Sequence, residues 1–587
     1  MASGELSQVG SNVHSEAGTT GEIIGFETDL SELPAGYYTS KFFVGSMFAV
    51  GVSLTAGVAA FGFAAPLLTI INNDLGPDPM FIWVSLVYNV TLAIALVLVG
   101  RLSDIFGRRW FFIGGQVLAV IGSVVCAKST SVPMLIGGNV LLGIATGPQL
   151  SFHFVMGELV PMKYRFLGNA FLYLFCIPGS GIAPVIGYKM VQSSLGWHGV
   201  YWILLGINGI ALILWVLFYF PPSFGKKHAG DINSKMYWIK NFDYIGTMLF
   251  IAGFVVFLLG LSWGGALYPW KSAAVIGAIV SGFAVMVVFV LWEIYAPLKE
   301  PLVPMHLFRN GQWVSAVVLL GLGAGVYYAF AIILPIQAAV LYNNGDLSEV
   351  AWISSIVGLG IITGQVLSGC LAEPIGKTRI QCMTVFTIGG IFLGACGCIT
   401  PDNKNTIIAL VYVGCVFIGW NETVCLANAT ILVKDQRMIG TAGGVAGSVR
   451  AAICAVLIAV YTTVLTNELT KNLSTGVPAA LVGAGLPATS IADFMAAMTA
   501  GTPAAFAAVP GLTAEITAVG VRAYKWAYSD AFKSVYLTTI AFSAFAVVLT
   551  WFAPNTDDLM TGKVAATLAN EDGHVIQDNG EKKGQAV

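Results

Sequence analysis

The chain has 587 residues, of which 57% are hydrophobic and only 10% are charged, and its mean hydropathy is +0.81. So much apolar surface is incompatible with a water-soluble fold, and the sequence predicts a membrane protein. The net charge of -2 offers no basic surplus for a phosphate backbone, which argues against nucleic acid as a partner. The cysteines form no CxxC pair and no cluster with histidines, so neither a disulfide framework nor a metal site is expected.

Apolar runs of about 20 residues recur along the chain, and each is long enough to cross a bilayer as a helix. We therefore expect an all-α membrane protein with fourteen transmembrane helices. In chain order the predicted spans are 43–67, 80–99, 110–127, 133–156, 167–190, 198–220, 243–263, 272–293, 313–341, 351–372, 380–399, 406–431, 440–465 and 532–553.

The spans and the loops between them suggest five regions. The first and last regions are polar and are predicted to be disordered cytoplasmic tails. Between them we expect a six-helix bundle, a cytoplasmic loop with an accessory pair of helices, and a second six-helix bundle. The regions are 1–41, 42–220, 221–311, 312–553 and 554–587, in that order.

The distribution of basic residues predicts the orientation. Most of the 28 Lys and Arg residues fall in loops on the same side as the two termini, so both termini should be cytoplasmic. The long segment 466–531 lies on the other side, and its prolines predict an extracellular cap of short helices. Asn472 is the glycosylation sequon that falls outside the predicted spans, and it is the expected glycosylation site.

Two repeated sequence patterns relate the halves of the sequence. After the tenth span, a Gly, Leu, acid, Gly and base pattern repeats the segment 100–109 at an offset of 269 residues. A second repeated pattern, at an offset of 272, aligns Gln149 with Asn421. Repeated halves are typical of secondary transporters, whose substrate sites lie near the midplane between the repeats.

The segment 100–109 resembles the signature loop of the major facilitator superfamily, and the similarity extends over residues 42–555. The resemblance implies two pseudo-symmetric six-helix bundles around a central cavity, working by alternating access. It also implies a conformational latch, in which Asp104 faces a helix N-terminus and pairs with an arginine. The alternative is that the arginines only fix the topology. The latch residues are Gly100, Arg101, Asp104, Gly107, Arg108 and Arg109, with Glu373 and Lys377 in the second repeat.

Residues 179–188 resemble the antiporter motif GxxxGPxxGG through Gly179, Pro184 and Gly187. In the superfamily this motif accompanies proton-coupled exporters, although a generic small-residue packing face would share the pattern. Asn139 stands where drug:proton antiporters carry an intramembrane arginine, so their proton relay does not transfer directly.

Six further segments resemble the fungal trichothecene efflux pumps, a fourteen-helix branch with siderophore transporters as close relatives. The segments are 158–165, 243–246, 261–265, 268–270, 300–304 and 523–528.

Two charged residues lie deep in predicted spans. Glu422 is 12 residues before Lys434, and Arg450 is 13 residues after Arg437. Both therefore lie roughly 20 Å from the same loop and level with each other. Because a buried charge needs a partner or a cavity, we interpret Glu422 as the proton-binding carboxylate and Arg450 as its partner. The alternative is a permanent structural salt bridge.

Four further residues are candidates for lining the substrate cavity: Gln149, His153, Asn421 and Trp420. Packing roles are the alternative for each of them.

Together these features predict proton-coupled efflux of a hydrophobic small molecule, such as a trichothecene or other mycotoxin, another secondary metabolite or an antifungal drug. The expected location is a fungal plasma membrane, with the vacuolar membrane as an alternative. Proton-coupled uptake of siderophore iron and a transporter-like nutrient receptor remain alternative functions. No GxxxxGK[ST] loop or catalytic cluster is present in the sequence, so we expect neither an enzyme nor a cofactor. Substrate, protons and membrane lipid are the expected partners of a monomer.

Overall fold

The structure is a computed structural model that describes residues 23–568, except for 35, 77, 223–234, 266, 344 and 501. The outer parts of both predicted tails, 1–22 and 569–587, and much of the loop after the sixth span lie outside the described residues. Within the described part, thirteen helices are long and apolar enough to cross a membrane. The predicted all-α membrane fold is confirmed.

The first half of the chain forms a helical bundle. Its first helix begins after Ser40, whose hydroxyl accepts a hydrogen bond from the amide of Phe43 and so satisfies one of the unpaired donors at the helix start. The helices are α1 (Lys41–Gly62), α2 (Leu68–Leu75), α3 (Ile82–Phe106), α4 (Arg109–Ala127), α5 (Val132–Leu150), α6 (Phe152–Leu159), α7 (Arg165–Leu174), α8 (Ala183–Val191) and α9 (His198–Phe218).

The fifth predicted span, 167–190, is broken into three pieces. A π-helical turn, Ile177–Gly181, lies between α7 and α8. Pro178 and Pro184 lack the amide hydrogen that a regular helix needs, so neither residue can continue the α-helical bonding pattern. This broken span accounts for the difference between the fourteen predicted spans and the thirteen continuous ones in the described residues.

An accessory group and a second bundle follow. The accessory helices are α10 (Lys235–Asn241), α11 (Tyr244–Trp263) and α12 (Ala273–Tyr295). The second bundle contains α13 (Gly311–Leu341), α14 (Leu347–Ile375), α15 (Thr378–Ala395), α16 (Lys404–Ile431), α17 (Ile439–Gly483) and α20 (Ala514–Leu549), with the short α18 (Ile491–Ala500) and α19 (Pro503–Ala507) between the last two.

The accessory pair packs against α3 and α17, which come from different bundles. The rings of Trp83 on α3 and Trp263 on α11 meet edge to face with centroids 6.2 Å apart. After α11, the indole of Trp270 donates to Thr463 of α17 at 3.0 Å. The inserted pair therefore lies beside the junction of the two bundles.

The cap between α17 and α20 differs from its prediction. We expected short helices throughout 466–531, but α17 continues to Gly483 and α20 already begins at Ala514. Pro478 does not end α17. The carbonyl that loses its amide partner there belongs to the exposed residue Ser474, where water can replace the bond. Apolar side chains of both long helices and of α18 form a small separate core that holds the cap together.

The inner parts of both tails are ordered, which corrects the prediction of disorder for 23–40 and 554–568. The strands β1 (Thr28–Asp29) and β2 (Lys563–Val564) pair antiparallel. Tyr37 is buried beside them, and its hydroxyl accepts a bond from the amide of Leu568 at 2.8 Å. Burial raises the pKa of Tyr37 to about 12, so this hydroxyl stays neutral. The composition of the tails did not reveal this pairing, because it depends on a few apolar residues brought together from opposite ends of the chain.

The paired tails define one end of the molecule, which we call the terminal face, and they contact both bundles there. The backbone of Ile24 bonds to Lys434 and Gln436 in the second half, while Ala566 donates to the carbonyl of Glu158 in the first half. Asp557 accepts from the amide of Lys377 at 3.0 Å. The two chain ends thus form a strap across both halves of the bundle.

Two helix crossings join the bundles: α3 on α17, and the α7–α8 span on α14. Glycines bring the backbones into contact at both. A side chain at Gly100 would overlap the carbonyl of Gly440, and one at Gly358 would overlap the carbonyl of Ser180. Small residues at such points are typical of close helix packing in membranes. The two crossings are consistent with the pseudo-symmetry that the repeated sequence patterns predict.

Candidate functional site

A charged cluster joins the two bundles at the terminal face. The carboxylate of Asp104, near the end of α3, accepts bonds from the amide of Thr441 at 2.5 Å and from its hydroxyl at 2.8 Å. Thr441 lies in the first turn of α17, where amide groups have no partner within the helix and the helix dipole favours an anion. This contact is the one that the latch hypothesis requires of Asp104.

Arg108 is the arginine that holds the cluster together. It is fully buried, pairs with Asp104 at 2.9 Å and forms a two-pronged ion pair with Glu158 of α6. The other two arginines of the segment act elsewhere. Arg101 pairs with Glu300, beyond the accessory helices, at 2.7 Å. Arg109 donates to the carbonyl of Tyr219 after α9 at 2.6 Å.

The second copy of the latch segment has no such cluster. Glu373 and Lys377 are both exposed, and neither takes part in an ion pair with a described residue. At the position of Lys377 the backbone is left-handed, with φ of 51°. Among the described residues, the ion pairs of the predicted latch are therefore found in the first repeat. The second repeat keeps the close helix crossing, in which Gly369 lies against the backbone of Phe166.

The antiporter motif lies at the boundary between the bundles. A side chain at Gly179 would approach the carbonyl of Thr55 on α1 to 2.6 Å. The hydroxyl of Ser180 lies 2.7 Å from that of Tyr327 on α13. Pro184 opens α8, and Gly187 follows one turn later against the end of α1. The motif thus supplies both the break in the fifth span and a polar contact to the second bundle.

Glu422 and Arg450 form the predicted ion pair between α16 and α17. The other carboxylate oxygen of Glu422 accepts a bond from the side-chain amide of Gln365 on α14 at 3.0 Å. Arg450 also lies over the ring of Tyr328, with 5.7 Å from the guanidinium carbon to the ring centroid. The carboxylate is thus bound by two donors from two different helices.

A cavity of about 90 Å³ lies between the bundles, and this pair contributes to its lining. Its polar and aromatic lining comprises Phe152, His153, Tyr173, Cys176, Ser180, Tyr327, Tyr328, Gln365, Glu422 and Arg450. On the terminal side the contacts of Asp104 with Thr441 and Arg108 join the two bundles. On the other side Phe61 of α1 meets Tyr328 with ring centroids 5.3 Å apart. Sites for drug-sized ligands occupy about 300–1,000 Å³, so the cavity in this structure is smaller than such a site.

Of the four predicted cavity residues, the structure brings His153 to the cavity. Its ring packs against Phe154 with centroids 4.5 Å apart, and neither ring nitrogen has a hydrogen-bond partner among the described residues. The prediction does not hold for the other three side chains, which are absent from the lining of the cavity.

Each of those three side chains is used inside one bundle. Gln149 donates to Asn208 at 2.9 Å and to Gln116 at 3.2 Å within the first bundle. Asn421 donates to the carbonyl of Leu319 at 3.2 Å, and the Trp420 indole donates to Gln381 at 3.0 Å. The hydrogen bonds of all three side chains therefore stay within a single bundle.

Gln365 is the functional candidate that sequence reasoning missed. A single amide in an otherwise apolar span was visible, but its partner lies 57 residues away on another helix.

Asn472 lies inside α17, and its amide donates to the carbonyl of Ala527 at 3.3 Å. Glycosylation there stays a prediction, and it would require this amide to leave its partner.

Two pseudo-symmetric bundles around a central cavity, with a charged cluster between them at one end, define a major facilitator transporter. Solved transporters of this fold agree. The human organic anion transporter MFSD10 (TETRAN) aligns over 86% of this chain and 99% of its own, with a TM-score of 0.51 and 12% identity. The proton:xylose symporter XylE aligns over 88% of this chain and 97% of its own, with a TM-score of 0.52 and 14% identity. At such identities the likeness concerns the fold.

The chain belongs to the family described as Fungal trichothecene efflux pump (TRI12), whose model matches residues 10–585. The trichothecene efflux pump TRI12 of Fusarium sporotrichioides is 30% identical over 95% of this chain and 94% of its own length. Its namesake from Trichoderma arundinaceum is 30% identical over 91% and 90%, and the MFS-type transporter prx5 of Penicillium rubens is 28% identical over 93% and 97%.

These similarities confirm the predicted family. The protein is a multi-pass membrane transporter of the efflux-pump type that acts on small molecules, and it is not an enzyme.

Proposed function

We propose that this transporter exports a hydrophobic small molecule in exchange for protons across a fungal plasma membrane. Trichothecenes and related mycotoxins, other secondary metabolites and antifungal drugs are the cargo classes. The names of the relatives support export over the uptake of siderophore iron. In this proposal both termini are cytoplasmic, so the terminal face is the cytoplasmic face, and the protein works as a monomer.

One observation carries the proposal: an ion pair of a carboxylate and a guanidinium faces a cavity between the two bundles. Breaking a buried ion pair by neutralising one partner is costly, because the other charge is left uncompensated. Protonation of Glu422 would therefore release Arg450 and change which conformation of the transporter is favoured. An ion pair with no access to a cavity could not exchange protons in this way.

The surroundings of the pair suit a hydrophobic cargo that bears few charges. The rings of Tyr173, Tyr327 and Tyr328 and the side chain of Phe152 supply apolar surface, and the tyrosine hydroxyls supply hydrogen bonds. Cargo that enters when the latch at Asp104 opens would lie beside Glu422. Protons arriving from the opposite face would then favour release of the cargo and reset of the transporter.

The test uses purified protein in proteoliposomes with a radiolabelled trichothecene and an imposed pH gradient. Wild-type protein should transport the probe at a rate that depends on the gradient, while Glu422→Gln should remove that dependence. Glu349→Gln is the matched control, because Glu349 pairs with Lys404 outside the cavity. Wild-type pH dependence in Glu422→Gln, with only a loss of thermal stability, would show that the ion pair is purely structural.

A further inference from the structure

The carboxylate of Glu422 connects three helices of the second bundle. It lies on α16, one oxygen pairs with Arg450 of α17, and the other accepts the amide of Gln365 on α14 at 3.0 Å. Among the described residues these are the two side chains that hydrogen-bond to it. Both Gln365 and Glu422 are buried, each with 6% of its surface exposed, so water does not compete strongly for either bond.

The two partner helices are also the ones that cross to the first bundle. The α17 helix meets α3 through Gly440, and α14 meets the α7–α8 span through Gly358 and Gly369. Gln365 lies between those two glycines, seven residues after one and four before the other. It is therefore within about two helical turns of both contacts. A change at Glu422 thus reaches both junctions between the bundles through one hydrogen bond each.

Other titratable groups surround the carboxylate without a hydrogen bond to it. They are His153 from α6, Tyr173 from α7, Cys176 beside the π-helical turn, Tyr327 and Tyr328 from α13, Cys425 from α16 itself and Cys454 from α17. From α15, Cys382 reaches the thiol of Cys425 at 4.0 Å. None of these is a permanently charged group. The electrostatic partner is Arg450, and Gln365 is the neutral donor that fixes the second oxygen.

We propose that Gln365 is a positioning residue, which couples the protonation of Glu422 to the movement of α14. This inference rests on the proposed proton exchange at Glu422. A hydrogen bond to an ionised carboxylate is stronger than one to a neutral acid. When Glu422 takes up a proton, α14 loses the stronger form of this bond at the same time as α17 loses its ion pair. Both crossings then respond to one proton.

The test measures hydrogen exchange of the full-length protein in lipid nanodiscs across a range of pH, corrected for the intrinsic pH dependence of exchange. This measurement needs no cargo. In wild-type protein, peptides from α14 and α17 should change their protection with the same pH midpoint. In Gln365→Leu, α14 should lose this response while α17 keeps it.

Two further variants guard against misfolding and indirect effects. Gln365→Met keeps an unbranched side chain of similar size and should reproduce the result if Gln365→Leu proves unstable. Gln337→Leu removes another buried amide of the same bundle, bonded to Tyr536 and not lining the cavity. It should leave both responses and their midpoint unchanged.

The outcomes separate this inference from the proposed function. If α14 keeps its wild-type response and midpoint in both Gln365 variants, Gln365 does not couple the two events and the inference is wrong. If wild-type protein and Glu422→Gln show the same pH response, the proton site itself is misassigned and the proposed function fails first. Adding Gln365→Leu to Glu422→Gln should cause no further change in the pH response, because the positioning role acts through that carboxylate.

Discussion

Replacing Asp104 by asparagine tests the latch at a single amide. The carboxylate of Asp104 accepts two bonds from Thr441 and pairs with Arg108. Because Thr441 lies in the first turn of α17, its amide has no partner within the helix. Any protection of this amide from hydrogen exchange must therefore come from the contact between the bundles.

The expected magnitude follows from the kind of bond that is lost. A hydrogen bond to a charged group contributes about 1.5–3 kcal/mol and a neutral one about 1 kcal/mol. Asparagine keeps one neutral acceptor, and Arg108 keeps its ion pair with Glu158. The loss for the two bonds from Thr441 is then about 2 kcal/mol. That difference corresponds to roughly 30-fold faster exchange at the start of α17.

The assay is hydrogen exchange with mass spectrometry on peptides that cover the start of α17. The matched control is Asp402→Asn, which removes an exposed ion pair with Arg522 near the opposite face and should not alter these peptides. An Asp104→Asn protein that is folded and exchanges within twofold of wild type would refute the latch reasoning. A uniform increase along the whole chain would indicate general destabilisation and would refute it as well.

Three further variants test other contacts. Gly358→Val places a side chain against the carbonyl of Ser180; we expect transport to fall more than tenfold in a folded protein, and wild-type transport would contradict the close crossing. Val564→Asp puts a charge at the fully buried residue of strand β2; limited proteolysis should cut both chain ends faster, whereas unchanged cleavage would show that the strap is not held there. Asn208→Leu breaks the buried amide network with Gln116 and Gln149; it should cost about 2–3 kcal/mol, seen as a lower unfolding temperature, and wild-type stability would contradict the network.

The ion pair could be predicted from sequence because helix geometry fixes depth. Counting residues from one shared loop was sufficient to place Glu422 and Arg450 at the same level, whatever the packing. That the two side chains face each other followed from one further rule, namely that buried charges need partners. The same reasoning failed for Gln149 and Asn421, because an equivalent position in a repeat fixes depth and not rotation about the helix axis. Successive residues of a helix are rotated by about 100° about its axis. A side chain one position away can therefore face the interior of a bundle and not the cavity.

The contacts that the sequence did not reveal are long-range and depend on few residues. The strap joins residues more than five hundred positions apart, such as Tyr37 and Leu568. The break in the fifth span was visible as two prolines, yet the contact of Ser180 with Tyr327 requires the second bundle to be in place. Glu373 and Lys377 show the opposite case, in which a repeated motif is present in sequence but its charges are not used in the structure.

The two repeats have therefore diverged in what each contributes. The first carries the charged cluster of Asp104 and Arg108, and the second carries the ion pair of Glu422 and Arg450. One helix connects them, because α17 bears Thr441 in its first turn and Arg450 nine residues later, roughly 14 Å along the axis. If α17 moves as one unit in the proposed transport cycle, a displacement of Arg450 along the axis would move Thr441 against Asp104 as well. In the proposed function, a proton bound by Glu422 would thus loosen a contact that belongs to the other repeat, with no ion pair needed at Glu373 or Lys377.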